Sequence, residues 1–131
     1  MRILLVDDSR AVRSMLRRIV QAHGFDEVVE AENGVAALER LAECGAPNVM
    51  LVDWNMPRMN GLELLRAVRA SDEWRDVPVV MVTTETEYDQ IVRAFAAGAN
   101  EYVMKPFTAE SILDKFDMIG VTDSAQRSAA A

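Results

Sequence analysis

Short, continuously apolar, β-branched runs alternate with longer stretches of helical periodicity along the whole chain, and this alternation restricts the fold more than any other feature. The runs are Ile3–Val6, Val28–Val29, Val49–Val52, Val77–Val82 and Tyr102–Met104. Strands buried on both faces read in this way, without an inside–outside alternation. The second run is weaker and belongs nearer a sheet edge. Between the runs, Val12, Met15, Leu16, Ile19 and Val20 follow helical spacing, as do Val35, Leu38 and Leu41, then Leu62, Leu65 and Val68, then Ile91, Val92, Phe95 and Ala96, and finally Ile112, Leu113, Phe116 and Ile119. Arg10, Arg13 and Arg17 fall on another face of the first helix. Gly24 and Gly98 stop the first and fourth helices, Gly34 opens the second, and Thr108 is placed to cap the fifth. Strict β-α alternation over five repeats implies an α/β fold, a parallel sheet with helices on both faces joined by right-handed crossovers.

With 131 residues the chain is expected to form one domain, over residues 1–119. The remainder, GVTDSAQRSAAA at 120–131, has few anchors and is expected to fray. A net charge of −7 argues against binding nucleic acid or anionic lipid, because both select basic patches. One cysteine, Cys44, and one histidine, His23, leave no intramolecular disulfide and set aside Ser–His–Asp chemistry and His- or Cys-rich metal sites. No apolar run approaches the ~20 residues of a membrane helix. The N-terminal MRILLVDDSR meets acid too early for a signal peptide, so a cytoplasmic protein is expected.

A parallel sheet brings the C-terminal ends of its strands to one edge, where ligands of such folds bind. Asp7 and Asp8 follow the first run, Asp53 the third, Thr83 and Thr84 the fourth, and Lys105 and Pro106 the fifth. Each has an ordinary reading when taken alone. Asp8 or Ser9 could cap the first helix, Lys105 could be a surface lysine, Thr83 a plain strand residue, and Met56, Met59 and Met104 packing. Their convergence on one edge weakens those readings. Three carboxylates in close contact stay ionised only around a cation, or one holds a proton. Oxygen ligands suit a hard divalent ion, and two carboxylates, a carbonyl and waters suit Mg²⁺. Metal, ammonium and hydroxyl together would stabilise a phosphoryl group, and a carboxylate can be its acceptor.

The segments ILLVDDS, MLVDWNMPRMNGLELL, VPVVMVTTE and GANEYVMKPF resemble the receiver domain of two-component response regulators, over about residues 2 to 119. The Trp54–Pro57 run and the lack of a second domain look most like the single-domain members that serve chemotaxis. The resemblance implies a flavodoxin-like, doubly wound five-stranded parallel sheet with five helices and strand order 2-1-3-4-5. It implies a phosphoacceptor at Asp53 and Mg²⁺ held by Asp8, Asp53 and the Asn55 carbonyl, with Asp7 acting through water. Thr83, Lys105 and Tyr102 match the phosphoryl-binding and switch positions, and Lys105–Pro106 matches a cis peptide. Asn55 and Glu85 match positions lining the water path. Thr84 departs from the small residue usual at its place. A stand-alone signalling protein is implied, not an enzyme acting on a separate substrate. It would be a monomer that receives its phosphoryl group from a sensor histidine kinase and acts on a protein target, either a flagellar switch or a phosphorelay protein. A receiver from a non-chemotaxis relay, or a fragment of a larger regulator, is the alternative.

Two other chemistries share such a fold. A flavodoxin-like electron carrier needs a phosphate cradle of backbone N–H groups after the first strand, where Asp7 and Asp8 would repel a phosphate. A haloacid-dehalogenase-type phosphatase needs an acid two residues after the nucleophile, where this chain has Asn55.

Overall fold

The structure, a computed structural model, describes residues 1–84 and 88–121. Among the described residues ten elements follow in strict alternation: β1 (Arg2–Val6), α1 (Arg10–His23), β2 (Glu27–Ala31), α2 (Gly34–Cys44), β3 (Val49–Val52), α3 (Gly61–Ala70), β4 (Val79–Thr83), α4 (Tyr88–Ala96), β5 (Glu101–Met104) and α5 (Ala109–Met118). All pairings are parallel, in the order β2-β1-β3-β4-β5. Successive strand residues point to opposite faces, and each face has its own apolar layer. Leu4, Val6, Met50, Val52, Val79 and Met81 pack with Leu41 of α2, Leu65 and Val68 of α3 and Ala94 of α4. Ile3, Leu5, Val49, Leu51, Val80 and Val82 pack with Leu16 and Val20 of α1 and Ile112 and Phe116 of α5. Double-sided burial is why β3 and β4 have no polar alternation.

Helix starts follow side-chain chemistry. Ser9 caps α1 through Val12 N–H, Asn33 caps α2 through Ala36 N–H, and Asn60 and Thr108 form capping boxes at α3 and α5. Gly24, in left-handed conformation, ends α1. Asp8 is therefore not the cap of α1. The structure departs from the sequence reading at β4, which starts at Val79 instead of Val77. Pro78 has no N–H for the ladder, and Val77 N–H turns to Trp74 O. Val121, assigned to the tail from sequence, is buried beside Phe116 and donates its N–H to Phe116 O at 2.8 Å. Residues 122–131 lie outside the described residues.

The edge holding the strand N-termini is laced by one side chain. Arg69 of α3 donates to Gly98 O at 3.0 and 2.8 Å, to Val77 O at 2.7 Å, to Arg75 O at 3.0 Å and to Asn100 Oδ1 at 2.8 Å. Its burial pulls its pKa down, against the opposing charge of Asp76. At the opposite edge, Gly61 opens α3 so closely beneath β3 that an added Cβ would lie 2.2 Å from Asp53 O.

Gly61→Ala is expected to force the loop after β3 outward and lower stability by about 1–3 kcal/mol. Urea unfolding measures this, and an unchanged midpoint would show that the loop yields freely.

Candidate functional site

Strand register alone sets the acids side by side. Val6 of β1 is level with Val52 of β3, so Asp7 and Asp53 leave neighbouring strands together. Asp53 N–H donates to Val6 O at 2.9 Å, and Asp7 N–H to Ala31 O at 3.1 Å. On the other side Thr83 is level with Met104, and Lys105 N–H donates to Thr83 O at 2.9 Å. The ladder thus runs one residue past β1, β3 and β5 and fixes the backbone of Asp7, Asp53 and Lys105.

Asp7 and Asp53 are 1% and 6% exposed, an unusual burial for carboxylates, whereas Asp8 is exposed. One oxygen from each of the three lies within 4.8 Å of the others. Lys105 reaches across from the end of β5, with Nζ 2.8 Å from Asp7 Oδ2 and 3.5 Å from Asp53 Oδ1. Burial lowers the Lys105 pKa, but its bond to Asp7 and the two carboxylate charges outweigh this, and the net shift is upward. Asp53 is pushed up to about 6, first by burial and next by the charge of Asp7, with Asp8 adding and Lys105 opposing. One ammonium therefore does not neutralise the cluster. Its donor set, three carboxylate oxygens with a mouth at Asp8, suits a hard divalent cation.

Thr83 is fully buried at the end of β4, and Thr84 beside it is exposed. Asn55 is exposed on the loop leaving β3, two residues from Asp53. Tyr102 is half-buried in β5 and packs on the layer beneath α3 and α4. The Lys105–Pro106 peptide is cis. The structure brings together Asp7, Asp8, Asp53 and Lys105, with Thr83 one strand away. Glu85 lies outside the described residues.

Sequence reasoning missed a group behind Asp7. Spacing sets Arg10, Arg13 and Arg17 together on another face of the first helix, but Arg10 is exposed while Arg13 and Arg17 converge on Glu30 of β2. Arg13 also donates to Asp7 O at 2.6 Å. Their four-residue spacing was the available signal.

The family model for the response regulator receiver domain matches residues 3–117. The chain is 44% identical over 119 residues to the chemotaxis protein CheY of Pseudomonas aeruginosa, covering 91% of this chain and 95% of that one. It is 40% identical over 129 residues to the CheY homolog of Campylobacter jejuni, covering 98% and 99%. The solved structure of Vibrio cholerae CheY4 superposes with a TM-score of 0.83 at 34% identity, covering 90% of this chain and 97% of that one.

The raised Asp53 pKa has a stability consequence. Between the ordinary value of 3.8 and about 6, the folded state binds the extra proton. Stability from this group is complete below the ordinary value and is lost as pH rises through about 6. Asp53→Asn escapes that loss. Without metal it is expected to exceed wild type at pH ~7.5 by on the order of 2 kcal/mol, with the gap closing near pH ~4. Urea melts at the two pH values test this, and equal gaps at both would overturn it.

Proposed function

The chain belongs to the response regulator receiver family of two-component signalling proteins, and on that footing we propose that it carries a phosphoryl group on Asp53. The donor is a phospho-histidine of a sensor kinase. An Asp53 carboxylate oxygen attacks phosphorus, the new O–P bond forms as the N–P bond to histidine breaks, and the imidazole leaves. The observation that carries this reading is the pairing of a buried Asp53 with the Lys105 ammonium 3.5 Å away, in a cluster whose donor set suits a cation. Mg²⁺ would be held by Asp8, Asp53 and the Asn55 carbonyl, with Asp7 through water, and when bound would neutralise charge on carboxylates and phosphoryl oxygens. Lys105 and the Thr83 hydroxyl would bind phosphoryl oxygens.

The output follows from the same edge. Drawing the Thr83 hydroxyl toward the phosphoryl group vacates space that Tyr102 can fill, biasing an existing equilibrium. The face of α4, β5 and α5 leaves Val92, Phe95 and Met104 exposed, as a protein partner would require. Since its relatives are chemotaxis regulators, a flagellar switch component is the proposed target, and a phosphorelay protein the second reading. No helix among the described residues is long and apolar enough to cross a membrane. A cytoplasmic monomer meeting kinase and target in turn, without acting as an enzyme on a separate substrate, fits this reading. Asn55 and Glu85 would orient the water that removes the phosphoryl group.

Incubation with acetyl phosphate and Mg²⁺, followed by borohydride trapping and peptide mass mapping, is expected to place one phosphoryl group on Asp53. Undiminished labelling of Asp53→Asn would refute this assignment.

Thr84 adds a methyl and a hydroxyl beside the path of in-line water. Thr84→Ala is expected to lose its phosphoryl group up to about tenfold faster, equivalent to ~1.4 kcal/mol in the barrier. Release of inorganic phosphate at matched Mg²⁺ measures this, and an equal or slower rate in the variant would retire the idea.

A further inference from the structure

The Asp7 side chain and backbone are held on every side. Its N–H donates to Ala31 O at 3.1 Å, its Oδ1 accepts Ser9 N–H at 2.8 Å, and its Oδ2 accepts Lys105 Nζ at 2.8 Å. Its carbonyl accepts Arg13 Nη1 at 2.6 Å. That carbonyl belongs to the peptide unit joining Asp7 to Asp8, so the guanidinium grips the plane that sets the two carboxylates relative to each other. Arg13 is itself fixed. Its Nε donates to Glu30 Oε1 at 2.9 Å, and its side chain is only 14% exposed. Glu30 is held in turn by Arg17, whose Nε and Nη2 donate to Oε2 at 2.9 and 2.7 Å. Arg17 also reaches Val28 O at 3.1 Å but makes no bond to Asp7. A chain of charge-assisted bonds therefore runs from β2, through α1, to the peptide between the acids.

We propose that Arg13 is a positioning residue for Asp7 and Asp8, clamping their shared peptide so that the exposed Asp8 carboxylate meets a cation beside Asp53, with Glu30 as the anchor of the clamp. This deepens the Mg²⁺ reading above and rests on it. Partners that orient ligands typically change metal affinity about 10–100-fold when removed.

Charge and geometry predict opposite signs here. Removing a cation near three carboxylates would tighten Mg²⁺ binding if Arg13 acted only through its charge. Removing a clamp weakens it. Arg13→Gln discards the charge, and Arg13→Lys keeps it but lacks the planar fork that spans Asp7 O and Glu30 together. Arg17→Gln loosens the same network without touching Asp7. The experiment is calorimetric titration of Mg²⁺ into each folded variant and wild type, with urea midpoints and, in metal-free protein, amide exchange at Asp8 and Ser9 by NMR.

Arg13→Gln and Arg13→Lys are both expected to bind Mg²⁺ about tenfold more weakly and to exchange those amides faster. Arg17→Gln, which loosens only the anchor, is expected to lose stability with a smaller loss of affinity than either Arg13 variant. Tighter binding in Arg13→Gln, wild-type affinity in Arg13→Lys, or an equal loss in Arg17→Gln would overturn the proposal and leave the phosphoacceptor reading standing. Wild-type protein that takes up no Mg²⁺ would instead overturn the metal reading and the clamp with it.

Discussion

Mutual repulsion of carboxylates in a poorly solvated pocket is the constraint around which this molecule is built. Asp7 and Asp53 are held there by ladder hydrogen bonds from their own backbones, so neither can retreat to solvent without unpairing a strand end. Lys105 answers part of the charge, and its position depends on β5 ending level with β4. The sheet's pairing energy is in effect spent on keeping like charges together. Burial and repulsion in such clusters are the usual origin of reactive, strongly perturbed groups.

That arrangement asks for stiffness elsewhere, and the two edges of the sheet supply it differently. At the edge bearing the strand C-termini, glycine allows close approach: Gly61 lies against Asp53 O, and Gly34 donates to Met59 O, tying the loops after β2 and β3 together. At the opposite edge Arg69 gathers the carbonyls of Gly98, Val77 and Arg75 into one guanidinium. The carboxylate cluster and its lysine occupy the first edge, and the hydrogen bonds of Arg69 the second.

Much of this was legible in the sequence because its signals are local. Continuous β-branched runs marked strands buried on both faces, and Thr108, Gly24 and Gly34 marked helix ends by their own backbone chemistry. The placement of Asp7, Asp8, Asp53, Thr83 and Lys105 at one edge was legible because chain order fixes which end of a parallel strand they follow. What escaped was set by tertiary neighbours. Val92 and Phe95 keep helical spacing, yet they are exposed because Ala94 is the α4 residue that meets the core. Met15 likewise points outward on α1. Spacing groups residues on a face but does not say which face is covered. Nor could it separate Arg13 from Arg10, since the distinction lies in Glu30, seventeen residues beyond Arg13 on an edge strand.

Among the described residues the two apolar layers share no side chain, and the backbone of the sheet lies between them. The sheet is thereby a partition for the energetics of substitution as well as for packing. Substitutions on opposite faces, more than about 10 Å apart and without common partners, combine additively. A substitution on the α1–α5 side therefore leaves the packing of the α2–α3–α4 side unaltered, and Asp7 and Asp53 at the rim keep their backbone bonds to Ala31 and Val6 in either case.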